Sequence, residues 1–157
     1  FLEFFHQALT IASIDYLAIA SWGHDVFRNK IRAKGPHQGE LVNAVIYKAL
    51  KGKVAVIASG GINSQEKALE ALEHADLVGL STPFITDPEF AVKIKEGKAE
   101  EIQLSIKPEN LEELAIPQAA FKDIVPLMDF GESLHKDARD FFRSLEANYK
   151  ERAVDEN

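Results

Sequence analysis

Cysteine is absent from the 157 residues, so no disulfide framework, thiolate nucleophile or Cys-based metal site exists. A chain without disulfides fits a cytoplasmic setting. Methionine and tryptophan occur once each, as Met128 and Trp22. No apolar run approaches the ~20 residues of a membrane span, and no signal-peptide pattern opens the chain. The five histidines, His6, His24, His37, His74 and His135, show no metal-ligand spacing, so no metal site is expected. The first residue is Phe rather than Met, which predicts that the natural N-terminus lies further upstream. The net charge of −7 is unevenly spread. Residues 1–98 hold 11 acidic and 11 basic residues and sum to zero, while residues 99–157 hold 14 acidic and 7 basic, so the second part carries the whole excess. An acidic tail argues against nucleic acid as a partner.

What the chain does have is concentrated in VAVIASGGINSQEKALEAL, residues 54–72. Val54 to Ala58 is a short apolar run rich in β-branched residues, the pattern of a strand buried on both faces. Asn63 is a candidate N-cap, with Glu66 three residues later completing a capping box. Ala68, Leu69, Ala71 and Leu72 give one apolar helical face. Two glycines between strand and helix let the backbone approach something closely, and a helix start offers unpaired N–H groups. Together these suit an anion, most often a phosphate. The plainer alternative is a tight βα turn that needs glycine for geometry alone.

Similar units flank this one. Residues 1–13 read as the end of a helix with Phe1, Leu2, Phe5, Leu9 and Ala12 near one face, and residues 15–21 (DYLAIAS) as a buried strand. Residues 22–39 form a long loop, and 40–50 an amphipathic helix with Gly52 suited to its C′ position. A helix over 64–74 and a strand over 76–81 follow. Asp87 then caps a helix with Pro88 at its first position, running to about Lys95 and ended by Gly97. Three apolar strands thus end in serine, at Ser21, Ser59 and Ser81, each followed by a loop and a helix. Alternation of this kind implies parallel strands with the serines at their carboxyl ends, where ligands bind in barrels and open sheets. Past residue 98 the pattern changes to Pro-punctuated short helices and turns, with a final amphipathic helix over 134–152.

Three parallel strands are too few to cover such apolar runs, and a closed parallel barrel needs eight. The expected fold is therefore α/β, a portion of a (β/α)8 barrel. Residues 1–98 would supply barrel structure and residues 99–157 an acidic, mainly helical C-terminal extension.

The string SGGIN…ADLVGLSTPFITDPEFAVKIKEG resembles the C-terminal part of the Old Yellow Enzyme family, the FMN-dependent NADH:flavin oxidoreductases. The resemblance rests on Ala75-Asp76-Leu77-Val78, Pro83, Asp87-Pro88, Phe90, Lys93 and Gly97, and on DYLAIASWG as a sixth barrel strand. It covers residues 1–100, and the tail LAIPQAAFKDIVPLMDFG is similar to a Gram-positive bacterial branch of that family. It implies about strands 6–8 of a (β/α)8 TIM barrel. It implies FMN as cofactor, NADH or NADPH as reductant and a small-molecule acceptor such as an activated alkene. Gly60 and Gly61 would hold the FMN phosphate through their backbone, with Ser59 ending the strand before them. Ser81 and Thr82 match the family's Gly-Arg pair. Here the chain departs from the pattern, because Thr82 offers one neutral hydrogen bond where the family has a charged bidentate donor. Loss of such a donor weakens phosphate binding by about 1.5–3 kcal/mol unless another cation replaces it.

The candidate replacement is the loop after the first strand, where Arg28, Lys30, Arg32 and Lys34 face one acid, Asp25. A solvated basic loop is the alternative. Trp22 could stack on a ring or plug a barrel mouth. His24-Asp25 could form an acid/base pair or a surface contact. The family's substrate-orienting residues come from strands absent here, so no catalytic residue is assigned and the chain alone is expected to be inactive. Self-association, or pairing with the missing N-terminal barrel part, is the expected partnership. Two further readings stay open: another phosphate-binding (β/α)8 enzyme, and a non-catalytic self-associating module.

Overall fold

A computed structural model describes residues 2–20, 25–106, 110, 112–117, 120, 140 and 144. The chain divides into two compact units, Phe1–Leu80 and Ser81–Asn157, each treated by itself.

The first unit holds helix α1 (Leu2–Ile11), strand β1 (Tyr16–Ile19), a 3-10 turn (Val26–Arg28), α2 (Val42–Leu50), β2 (Ala55–Ser59), α3 (Gln65–Leu72) and β3 (Leu77–Gly79). The strands form one sheet in the order β1-β2-β3, all parallel. This is the α/β arrangement that the strand–serine–loop–helix repeat predicts. The register pairs Leu17 with Val56 and Ile19 with Ala58, then Ala58 with Val78. These alternate residues share one face. Val56 and Ala58 on that face are fully buried, packed in one cluster with Ile46 and Leu50 of α2 and Ala68 and Ala71 of α3. Leu2, Phe5 and Leu9 of α1 add to it, as the helical spacing of residues 1–13 predicts.

The opposite face differs from expectation. Tyr16 is 60% and Leu77 52% exposed, and Ala55, Ile57 and Ser59 are half-buried. The strands were expected to be buried on both faces, but the core cluster covers one only. The apolar runs therefore look the same in sequence whichever face is covered. The helical face read from α3 also splits. Ala68 and Ala71 are buried, whereas Leu69 and Leu72 are 59% and 40% exposed. Small residues face the sheet and let the helix approach it closely.

Three helix starts are displaced, one of them in the second unit. The N-cap of α3 is Ser64, not Asn63; its hydroxyl accepts from the Lys67 N–H at 3.2 Å. Ile62, 2% exposed, anchors the chain in the core just before the helix, and the helix begins one residue later than the motif suggests. Glu66 then falls at the second helical position. Its carboxyl is held below the ordinary range by its own backbone N–H and by the Ser64 hydroxyl. Helix α2 begins at Val42 rather than residue 40, because Lys30 and Leu41 form an antiparallel bridge and the Val42 N–H goes to the Asn29 carbonyl at 2.9 Å. Gly52, at φ 78°, takes the position after the α2 C-cap that the sequence assigns it.

Asp76 closes the sheet. Its N–H donates to the Val56 carbonyl at 2.8 Å, and its carboxylate accepts from the Val56 N–H at 2.9 Å and the Tyr47 hydroxyl at 3.3 Å. One side chain so joins β2, the approach to β3 and α2.

The second unit begins with α4 (Thr82–Thr86), a helix the sequence reading did not anticipate, followed by α5 (Phe90–Lys95) and a 3-10 turn (Ala99–Glu101). Asp87, 4% exposed, organises it. Its carboxylate accepts from the Glu89 N–H at 3.1 Å, the Gln103 N–H at 2.9 Å and Lys93 Nζ at 2.7 Å. Asp87 does not cap α5, whose N-cap is Glu89, and Pro88 precedes the helix, because the Asp87 carboxylate is drawn to Lys93 and Gln103 instead; Asp87 and the lysine six residues on are two ends of one buried contact. At the other end of α5, the Lys98 N–H reaches the Lys93 carbonyl at 2.8 Å and the Gly97 N–H the Ile94 carbonyl at 3.1 Å. Gly97 has φ 74°, so this is a Schellman stop. Phe84 and Phe90 meet edge to face, centroids 6.1 Å apart. The final helix expected over 134–152 lies outside the described residues apart from positions 140 and 144, as does most of the Pro-punctuated segment.

Burial alone would raise the Asp87 carboxyl, but the Lys93 bond, the two N–H donors and the Lys93 charge outweigh it and hold the group below the ordinary aspartate range. Lys93 is raised by the same bond. A depressed carboxyl contributes stability above its unfolded pKa and loses it as pH falls through the folded value. Asp87→Ala should therefore cost about 3–5 kcal/mol near neutral pH, because it leaves a mostly buried ammonium and two N–H groups without an acceptor. Urea unfolding at pH 7 and below pH 4 checks this: the gap between variant and parent should shrink in acid.

Candidate functional site

The site is built where β2 ends. Ser59 closes the strand and donates its hydroxyl to the Ile19 carbonyl at 2.7 Å, tying the ends of β2 and β1 together. Gly60 and Gly61 follow with φ 95° and 82°, a conformation that side-chain-bearing residues rarely adopt. Their closeness to other atoms is specific. A Cβ on Gly60 would stand 1.7 Å from Val26 Cγ2, and one on Gly61 2.5 Å from the Asp25 nitrogen and 2.9 Å from Asp25 Oδ1. The segment after β1 is thus laid directly on the double-glycine turn, and the Phe27 N–H donates to the Gly60 carbonyl at 3.4 Å. Val26 and Phe27 are buried there, 6% and 4% exposed.

Charge holds the segment down. Lys67 Nζ, in the first turn of α3, lies 2.7 Å from Asp25 Oδ1 and 3.3 Å from the Gly61 carbonyl oxygen. Arg28 donates to Asp25 Oδ2 at 2.8 Å and grips Glu70 with two bonds, Nε to Oε1 at 2.7 Å and a terminal nitrogen to Oε2 at 2.5 Å. The Arg28 bond lowers Glu70 below the usual carboxylate range, and Glu70 raises Arg28 in return. Both side chains are over two-fifths exposed, so solvent screens this pair. Asp25 itself is left-handed, φ 45° and ψ 42°, a geometry held by its two cationic partners and by the turn beneath it.

The arrangement also offers donors. The N–H groups of Gly61, Ile62 and Asn63 find no acceptor among the described residues, and they precede the N-terminus of α3. Lys67 stands beside them, its charge at present shared with Asp25. Unpaired backbone donors next to an ammonium suit an anion. Of the residues singled out by sequence, Ser59, Gly60 and Gly61 come together here. Ser81 and Thr82 lie in the other unit, where Ser81 precedes α4 and Thr82 is its first residue. Trp22 and His24 lie outside the described residues. The basic loop does not act as one group: Arg28 is committed to Asp25 and Glu70, and Lys30, Arg32 and Lys34 make no ion pair among the described residues. The cation beside the glycines is Lys67, which sequence reasoning missed. Its signal was its position three residues after a capping serine. Among the described residues no group of His, Cys, Asp or Glu could hold a metal, and no helix is long and apolar enough to cross a membrane.

No family model matches the chain. It is 60% identical over 151 residues to a protein of Streptococcus pyogenes named as an uncharacterized oxidoreductase; the match takes in 96% of this chain and 38% of that protein. It is 30% identical over 120 residues to the probable NADH-dependent flavin oxidoreductase YqiG of Bacillus subtilis, covering 76% of this chain and 31% of that one. The chain therefore spans less than two-fifths of either curated relative, and both relatives are named as oxidoreductases.

Glycine at position 60 is required by Val26 before any ligand is considered. Gly60→Ala should destabilise the protein by about 2–4 kcal/mol, through overpacking and an unfavourable positive φ. Adding Val26→Ala should recover part of the loss in a thermal-unfolding comparison. Equal stability of Gly60→Ala and the parent would show that Val26 does not pack on the turn.

Proposed function

We propose that this chain is the FMN-phosphate-binding part of an NAD(P)H-dependent flavin oxidoreductase of the Old Yellow Enzyme type, with its three strands forming part of a (β/α)8 barrel. The observation that carries the site is the run of unbonded N–H groups at Gly61, Ile62 and Asn63 beside Lys67. Support for the flavin comes from the similarity to the probable NADH-dependent flavin oxidoreductase YqiG. The uncovered sheet face, with Tyr16, Ile57 and Leu77 on it, is what a barrel lumen needs from these strands.

In this reading, the backbone of residues 60–63 and the Lys67 ammonium hold the phosphate. Bound FMN would supply hydride transfer between NAD(P)H and a small-molecule acceptor. The residues of this chain bind and orient, and none is assigned to the chemical step. Lys67 takes the role that an arginine at position 82 has in the family pattern. Asp25 works against it: a dianionic phosphate and the Asp25 carboxylate compete for the same ammonium. Segment 25–28 therefore gives up its hold on Lys67 when phosphate arrives, while Arg28 keeps its bonds to Glu70.

The test uses the intact protein and two ligands, FMN and riboflavin, which lacks the phosphate. Flavin fluorescence quenching gives both affinities. Lys67→Gln should weaken FMN about tenfold or more, the effect of losing a ~1.5 kcal/mol charged hydrogen bond, and leave riboflavin unchanged. Asp25→Asn should tighten FMN, with the gain eroded by salt. Equal effects on FMN and riboflavin, or none on either, would remove the phosphate from this corner.

A further inference from the structure

The connection from the 3-10 turn to α2, residues 29–41, is a small hairpin that carries three cations. Main-chain bonds hold its two sides together. The Ile31 N–H donates to the Glu40 carbonyl and the Gly39 N–H to the Ile31 carbonyl, both at 2.9 Å, and Lys30 bridges Leu41. The Val42 N–H on the Asn29 carbonyl, also at 2.9 Å, ties down its base. Ile31 is half-buried, so its neighbours Lys30 and Arg32 point the other way. Both are exposed, as is Lys34. None of the three cationic side chains has a partner among the described residues. The acids that could have matched them are engaged elsewhere. Glu40 holds His37 at 3.0 Å, and Asp25 is shared by Arg28 and Lys67. Three like charges in residues 30–34, presented on a braced ladder, repel one another, and a polyanion from outside relieves that repulsion.

Building on the flavin-oxidoreductase reading, we infer that this hairpin receives the phosphates of the pyridine-dinucleotide reductant, with Lys30, Arg32 and Lys34 as the binding residues. Position and charge both favour this. The hairpin belongs to the connection that follows the carboxyl end of β1, the end of the sheet that also carries the Gly60–Gly61 turn. Ligands reach parallel α/β folds from that end. The Phe27 N–H on the Gly60 carbonyl, at 3.4 Å, fixes the stretch just before the hairpin to the turn. The reductant carries a pyrophosphate, and NADPH a further 2′-phosphate. These groups lie along the molecule away from the nicotinamide ring that gives up the hydride. A cationic element separate from the flavin-phosphate corner therefore suits them. Lys67 is the cation of that corner, and the hairpin cations stay free for a second polyanion.

The test combines Lys30→Gln, Arg32→Gln and Lys34→Gln in one variant of the intact protein loaded with FMN. The KM for the reductant should rise about tenfold at low salt, the summed effect of three exposed charge contacts, with kcat and bound FMN unchanged. Added salt should raise the KM of the parent and move that of the variant much less. Both NADH and NADPH are measured. An equal rise puts the pyrophosphate on the hairpin, and a larger rise for NADPH puts the 2′-phosphate there. A control variant, Lys48→Gln with Lys51→Gln and Lys53→Gln, removes the same charge between α2 and β2 and should leave KM unchanged. An equal rise in that control would reduce the effect to net charge and overturn the inference. So would an unchanged KM in the hairpin variant, or loss of FMN from it. Calorimetric titration with ADP-ribose, which has the pyrophosphate and no nicotinamide, reads the hairpin without any flavin chemistry. An intact protein that binds no FMN refutes the flavin reading. Equal ADP-ribose binding by parent and hairpin variant, or none by either, refutes the hairpin's role alone.

Discussion

The first unit depends on the close contact between the Gly60–Gly61 turn and the segment Asp25–Phe27. Val26 Cγ2 and the Asp25 backbone occupy space that a Cβ on either glycine would fill. Once there, Val26 and Phe27 are buried, Asp25 comes within reach of Lys67, and Arg28 within reach of Glu70. The carboxyl ends of β1 and β2 are joined by this contact and by the Ser59 hydroxyl on the Ile19 carbonyl. Side chains at positions 60 and 61 would break the contact before any ligand question arose. The glycines therefore have a geometric task in full, and the donors beside them are an additional property of the same turn.

That double use explains the electrostatics. A helix start with free N–H groups favours an anion. The protein supplies one of its own, the Asp25 carboxylate, close to the turn and bonded to the nearest lysine. An internal anion satisfies the positive charge when no ligand is present, and it sets a competition that a dianion wins more readily than a neutral or singly charged group. The Arg28–Glu70 pair is exposed and screened, so it acts as a tether for the segment more than as a source of stability.

Much of this was legible in the sequence, and the parts that were not share a cause. Strands at 55–59 and 77–79 lie within two residues of the stretches read as strands, because apolar runs bounded by Ser and Gly are local signals. The Gly97 stop was readable for the same reason, whereas the helix expected to start at Asp87-Pro88 begins at Phe90 with Glu89 as its N-cap. What could not be read was which partner each side chain would find. Leu69 and Leu72 look like core and are exposed, because the sheet accepts only the alanines of α3. Lys67 looks like helix surface and is the cation at the turn, because Asp25, 42 residues away, is brought to it. The four cations of residues 28–34 look like a patch, yet Arg28 alone is drawn into the ion-pair network. Helix α4 was missed because Thr82–Thr86 is too short to show a period.

The Asp25–Lys67 contact also bounds the functional claim. An anion at residues 60–63 and an intact Asp25–Lys67 pair compete for one ammonium. The most direct measurement is a crystal structure of the intact protein grown with FMN. The account predicts the flavin phosphate within hydrogen-bonding distance of the Gly61 and Ile62 N–H groups and of Lys67 Nζ, with the Asp25 carboxylate withdrawn from that lysine. A flavin phosphate held elsewhere, with Asp25 still bonded to Lys67, would contradict it.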